Sequence, residues 1–168
     1  YVKWVFMVVN WIMTRPMTDL DLKRELFMQC DAFIENRLVS IQKVIAEIRE
    51  SLTAESKSSA GDKHETGRAM LQLEREKAGK QLAEIEKLKQ YLGKVDISKT
   101  SKIIGLGSVV YTDQANYFIS ISAGELYLKD QKFFAIAPNT PIGLLLIRKK
   151  VNEHFSFRNQ DFEILKII

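Results

Sequence analysis

Two apolar stripes separated by a polar break constrain this chain more than any other feature. Ile34, Leu38, Ile41, Ile45, Ile48 and Leu52 recur at spacings that alternate between four and three residues. Leu71, Arg75, Ala78, Leu82, Ile85, Lys89 and Leu92 repeat the same alternation. Such spacing puts one side chain per turn on a single helical seam, so each stretch predicts a coiled-coil helix. Between them, Thr53 to Gly61 is small, polar and closed by a glycine, which predicts a turn. The chain therefore folds back on itself, and the seams bury each other as an antiparallel hairpin. A parallel homodimer is the alternative, and the break midway argues against it. Each arm has about 30 residues, hence a rod of ~45 Å.

The ends of these helices carry their own signals. Thr18 is placed as an N-cap, with Asp19 and Asp21 in the first turn, where negative charge is favourable. Phe27 and Cys30 carry the first stripe back toward Leu20 with a break in register, and Met70, Leu73, Leu88 and Tyr91 widen the second. Gly93 is placed to stop the second helix. Upstream, residues 1–16 form an apolar leader, YVKWVFMVVNWIMTRP, too short to span a bilayer. It reads as an upstream extension ahead of a natural start at Met17, with a docked or partner-binding segment and a targeting segment as the alternatives.

After Gly93 the texture changes. Ser108–Tyr111, Tyr117–Ile121, Glu125–Leu128, Phe133–Ala137 and Phe162–Leu165 read as strands, and Val151–Phe157 as a further one. Pro141–Leu146 reads as a short helix opened by its proline. The expected class is α+β: a helical hairpin over 17–95 with its tip at 58–66, then a small antiparallel sheet with one short helix over 96–168.

Charge is mild and evenly spread. From Met17 to Val95, 14 Lys/Arg balance 14 Asp/Glu, and from Asp96 to Ile168 the count is 9 against 7. With no block of like charge, contact with nucleic acid requires a one-sided face, and bulk basicity does not support non-specific DNA binding. The single cysteine, Cys30, excludes an internal disulfide and fits a reducing, cytoplasmic setting. It falls inside an apolar helical pattern, as a buried structural thiol does. The two histidines, His64 and His154, have no spacing that would make either its partner in catalysis.

The tip reads Gly61-Asp62-Lys63-His64-Glu65. Asp62 as N-cap with Glu65 three residues on makes a capping box, which is enough to account for both residues. The functional alternative is that both carboxylates face outward and share a divalent cation with another protein. Two carboxylates cannot hold Mg²⁺ unaided, because that ion takes about six oxygens and keeps its waters. The tip could only complete a site supplied elsewhere. Arg68, Arg75, Lys77 and Lys80 nearby could steady RNA through its phosphates, or could simply be a solvated face.

Asn139-Thr140-Pro141-Ile142-Gly143 through Lys149-Lys150-Val151-Asn152-Glu153 resembles, without a gap, the Ser-Pro-Ile-Gly…Gly-Lys-Lys-Val-Gly-Asp segment of the Gre (GreA/GreB) bacterial transcript-cleavage factors. Phe162–Leu165 resembles the closing strand of the same domain, and Gly61-Asp62-x-x-Glu65 is similar to the motif at the tip of the Gre coiled coil. The order, hairpin first and globular domain second, agrees over roughly residues 20 to 168. The chain departs at Thr66-Gly67-Arg68-Ala69, where the family usually has Asn-Ala-Glu-Tyr. It departs again at Arg148 and Asn152-Glu153, where the family has Gly and Gly-Asp.

The resemblance implies an FKBP-like C-terminal domain that grips bacterial RNA polymerase at the rim of its secondary channel. Thr140, Pro141, Ile142, Gly143, Lys149 and Lys150 would make that contact. It implies a hairpin that enters the channel, so that Asp62 and Glu65 share Mg²⁺ with the polymerase at the 3′ end of backtracked RNA. The protein would be a monomeric, cytoplasmic activator of the polymerase's own cleavage and not itself an enzyme, with no cofactor of its own and no membrane partner. Three other readings are open: a channel-binding modulator or inhibitor without cleavage, a peptidyl-prolyl isomerase, or a plain scaffold. The isomerase reading would draw on Phe118, Phe133, Phe134, Phe155 and Phe157, although their strand alternation fits core packing.

Overall fold

In the computed structural model, residues 17–56 and 62–168 are described. The leader over 1–16 and the centre of the proposed turn lie outside the described residues. Helix α1 spans Asp19–Ser56 and α2 spans Asp62–Leu92. They are followed by β1 (Val109–Thr112), β2 (Asn116–Ile119), β3 (Gly124–Leu128), β4 (Gln131–Ile136), helix α3 (Pro141–Leu146), β5 (His154–Phe157) and β6 (Gln160–Ile167). The class is α+β, a helical hairpin followed by a mostly antiparallel six-stranded sheet with one short helix.

The α1 cap forms as the sequence predicts, and it is reciprocal. The Thr18 hydroxyl accepts from the Asp21 backbone N–H at 3.1 Å, and the Asp21 carboxylate accepts from the Thr18 N–H at 3.1 Å. The antiparallel pairing is visible in the buried seam: Ile34, Ile41 and Ile48 pack with Ala78, Ile85 and Leu92 in one core. Lys89 reaches across to Glu35, which keeps two charged residues at the seam's edge paired in solvent.

Three helix details differ from the sequence reading. Helix α1 runs through Thr53 to Ser56, so the turn is shorter than the polar composition predicts. The lower stripe is Leu22, Leu26, Cys30 and Ile34, spaced by four, and Leu20 is 43% exposed. There α1 leaves its coiled-coil partner and faces a sheet, and each step of four turns the contact line by about 40°, about 120° from Leu22 to Ile34. Met70, Leu73 and Tyr91 are exposed and only Leu88 packs against the core. The α2 terminus falls at Gly93 as expected, without a left-handed φ there. It closes instead by three-residue bonds from Lys94 N–H to Tyr91 C=O (3.1 Å) and Val95 N–H to Leu92 C=O (2.9 Å).

The sheet order is β3-β4-β2-β1-β6-β5. Strands β2 and β4 run parallel, Tyr117 opposite Phe134 and Phe118 opposite Ala135, so the sheet is mixed where an antiparallel one was expected. The last predicted strand is confined to His154–Phe157, because Asn152 takes a left-handed φ of 68° and turns the chain.

Strand alternation divides the sheet's two faces. Val109, Phe118, Phe133 and Ala135 join Leu22, Leu26, Cys30, Ile34, Leu92 and Val95 from the hairpin base in one core. Val110, Tyr117, Ile119 and Ile164 face the other way onto Leu146 of α3 and onto Phe155. The domain is thus three layers: hairpin base, sheet, short helix. The base is also tied by polar contacts. The almost fully buried Lys23 donates from Nζ to Lys99 C=O at 2.7 Å. Gln29 donates to Tyr127 C=O (2.9 Å) and accepts from Tyr127 N–H (3.2 Å), behaving as a one-residue strand along the β3 edge.

Candidate functional site

The chain presents two groups of singled-out residues at opposite ends of the molecule. At the far end, Asp62 is the first residue of α2 and Glu65 stands exposed one turn on. Three residues of separation put both on the same side of the first turn. The side chain of Asp62 lies outside the described residues, as does that of His64. The 27 residues from Glu65 to Leu92, which is buried at the base, rise about 40 Å. Acidic side chains at a helix start are also favoured by the exposed N–H groups there.

The fit of this turn to a metal is partial. Among the described residues no group of three or more His, Cys, Asp or Glu side chains gathers that could hold an ion. Two carboxylates on one turn can offer a Mg²⁺ ion some of its about six oxygens, and the rest must come from another molecule.

The four cations nominated beside the tip do not share a face. At about 100° per residue, Arg68 and Arg75 are seven residues apart and lie within about 20° of each other. Lys77 and Lys80 lie roughly 140–180° away from Arg75 or Arg68, apart from the closer pairing of Arg68 with Lys80 at about 120°. Arg75 and Arg49 of α1 both line a groove of about 170 Å³ with Ile45, Ile48 and Gly79. No ion pair is formed by Arg49, Arg68 or Arg75 among the described residues. Sequence reasoning missed Arg49, although its place four residues after Ile45 puts it on the seam's flank.

At the other end, the segment around α3 is shaped by local chemistry. Thr140 caps the helix, its hydroxyl accepting from Gly143 N–H at 3.2 Å and donating to Ala137 C=O at 2.7 Å. Pro141 follows at the first helical position, where its missing N–H costs nothing. A Cβ on Gly143 would lie 2.4 Å from Ala137 O, 2.8 Å from Thr140 Oγ1 and 2.9 Å from Pro138 O, so only glycine fits. Ile142 packs partly onto the second core. Thr140, Pro141, Ile142 and Gly143 are therefore accounted for by folding alone.

The next residues differ in kind. Arg148 N–H and Lys149 C=O pair with Ile104 at 2.9 Å each, which fixes this backbone against the loop before β1. Lys149 is half-exposed and Lys150 exposed, and neither ammonium has an ion pair among the described residues. Exposed Leu144 and Val151 border them. Arg148 and Asn152, the two positions where the sequence replaces glycines of the quoted pattern, take left-handed φ values of 69° and 68°. The backbone at both is the one glycine adopts most easily.

The five phenylalanines are split by the sheet. Phe118 and Phe133 lie in the hairpin-side core, and Phe134, Phe155 and Phe157 belong to the other. Cys30 is fully buried, its Sγ 3.6 Å from Ser120 Oγ, and burial pushes its thiol up to about 11. A thiol so rarely ionised is a poor nucleophile. No helix among the described residues is long and apolar enough to cross a membrane. Comparison of the chain with protein-family models, with curated proteins and with solved structures finds no match.

Proposed function

We propose that this chain is a Gre-like factor that binds bacterial RNA polymerase and reaches its active centre through the secondary channel, where it stimulates cleavage of backtracked RNA. One observation carries the reading. An acidic turn begins α2 at the end of the hairpin remote from the head, about 40 Å of helix beyond the last residue buried there. A stiff prong of that length suits delivery of charge into a channel that a globular surface cannot enter.

The left-handed backbone at Arg148 and Asn152 adds support, since both departures from the Gre pattern keep a glycine-like conformation. The resemblance in this segment is thus one of shape, and the solvent-facing Lys149 and Lys150 are the side chains left for contact with the polymerase rim. Thr140, Pro141, Ile142 and Gly143 hold that surface in place.

In this reading Asp62 and Glu65 offer carboxylate oxygens to Mg²⁺ at the polymerase's catalytic centre and orient a water toward the RNA. A bound metal pair there stabilises the attacking and leaving oxygens and lowers the pKa of the water. Arg68 and Arg75, on one face of α2, are the cations suited to meet phosphates together, while Lys77 and Lys80 face elsewhere.

The second reading, occupancy of the same channel without cleavage, is favoured by Thr66-Gly67-Arg68-Ala69, which alters the turn after Glu65. Stalled, backtracked elongation complexes separate the two. Addition of the protein releases 3′ RNA fragments under the first, and only slows transcription under the second. Replacing both Asp62 and Glu65 with Ala removes fragment release and leaves polymerase binding intact. Release that persists in the double variant, in polymerase freed of native cleavage factors, refutes the assignment of these carboxylates.

A further inference from the structure

A second concavity lies at the other end of the hairpin, where the helices meet the head. Leu88, Tyr91 and Lys94 come from the end of α2 and its continuation, Leu106 from the loop before β1, Ile121 from the loop after β2, and Pro138 from the loop before α3. Together they enclose about 580 Å³, within the size range of small-molecule sites. Ile121 is fully buried and forms the floor. Tyr91 and Leu106 are 57% and 40% exposed and form the lips. Large apolar side chains left in solvent on either side of a cleft are what a bound apolar body would cover.

Ser120, Ser122 and Asn139 add neutral polar groups to the cleft, and its charge among the described residues has one sign. The Lys94 ammonium sits 5.0 Å from the centre of the Tyr91 ring and has no carboxylate partner among the described residues. Among the described residues no acidic side chain lines the cleft. Walls converge on it from four segments, which suits a compact ligand better than a flat partner surface.

We infer that this cleft binds a small monocarboxylate with an apolar body, its hydrocarbon over Ile121, Leu106 and Pro138 and its carboxylate toward Lys94. Because one wall belongs to α2 and the others to the head, the seated ligand bridges arm and head. This inference is independent of any contact with polymerase.

Octanoate and its uncharged counterpart 1-octanol are the probes, titrated calorimetrically into the full chain. Octanoate binds saturably at one site, and 1-octanol binds more weakly at the same site. Lys94→Gln weakens octanoate about tenfold, the loss of one charge-assisted contact, and leaves 1-octanol unchanged. Ser122→Trp, at the exposed rim, blocks both, and the circular dichroism melts of the two variants report that they are folded. Absence of saturable octanoate binding overturns the inference. So does binding indifferent to both substitutions, or an equal loss of both probes in Lys94→Gln.

Discussion

Replacing Gly143 with Ala inverts the usual outcome of filling a helical glycine. In an open helix the change adds stability, about 1 kcal/mol, because alanine loses less backbone entropy on folding. Here the new methyl would meet three oxygens at 2.4, 2.8 and 2.9 Å, two of them backbone carbonyls that cannot swing aside. Overpacking of this kind costs about 1–3 kcal/mol. Relief at Thr140 Oγ1 also breaks its bond to the residue 143 N–H, the helix cap, at a further cost of about 1 kcal/mol. The net is a destabilisation of roughly 1–3 kcal/mol once the propensity gain is subtracted. Urea unfolding of the full chain, followed by circular dichroism, reads this as a lower midpoint with an unchanged slope. A midpoint equal to or above that of the parent protein would show that the oxygen cage yields freely, and the steric account of this motif would be wrong.

Arg148→Gly should move stability the other way: relief of a left-handed φ of 69°, worth about 1–2 kcal/mol, exceeds the entropic penalty of glycine by roughly 0.5–1 kcal/mol. The same urea titration checks it, and a fall in midpoint counts against it. Cys30, with its thiol at about 11, should be ionised in only about a thousandth of molecules at pH 8. Ellman's reagent should then label it slowly in the native protein and at once in urea, whereas rapid native labelling would contradict its burial. Asp113 accepts the Glu163 N–H at 2.9 Å, and that bond holds its carboxyl below the ordinary value. Its contribution is therefore present above the unfolded-state pKa and is lost as pH falls through the lower folded value. Asp113→Asn should flatten the acid limb of a stability-versus-pH profile, and an identical limb would refute the linkage.

The hairpin was legible because its information is local: a seam residue's position depends on its neighbours three and four places away. The short helix was legible for the same reason, with Thr140, Pro141 and Gly143 each specifying one step of it. Sheet order was not. Strands of four to eight residues reveal which side chains alternate, but the parallel pairing of β2 with β4 is a contact between segments whose sequences carry no mark of each other. Of the lower stripe of α1, Phe27 and Cys30 were legible and both pack into the core, while Leu22 and Leu26 were not, because the partner changes from a helix to a sheet near Cys30. The turn at Arg158-Asn159, both at positive φ, carries no glycine to announce it. Around the tip, nearness in sequence concealed that Arg75 and Lys77 point to opposite sides. Under the proposed function, what Asp62 and Glu65 do depends on a molecule outside this chain, and no spacing within it encodes that.

The core that joins Leu22, Leu26, Cys30 and Leu92 to Phe118 and Phe133 has a practical consequence for anyone who would recombine such proteins. A cut at residue 95, where helix gives way to strand, severs covalent sequence but runs straight through shared packing. An exchanged head would arrive with a bare apolar face unless the first three turns of α1 and the last turn of α2 travelled with it. The transferable unit is the sheet together with the roots of the prong, and only the outer shaft can be lengthened or replaced on its own.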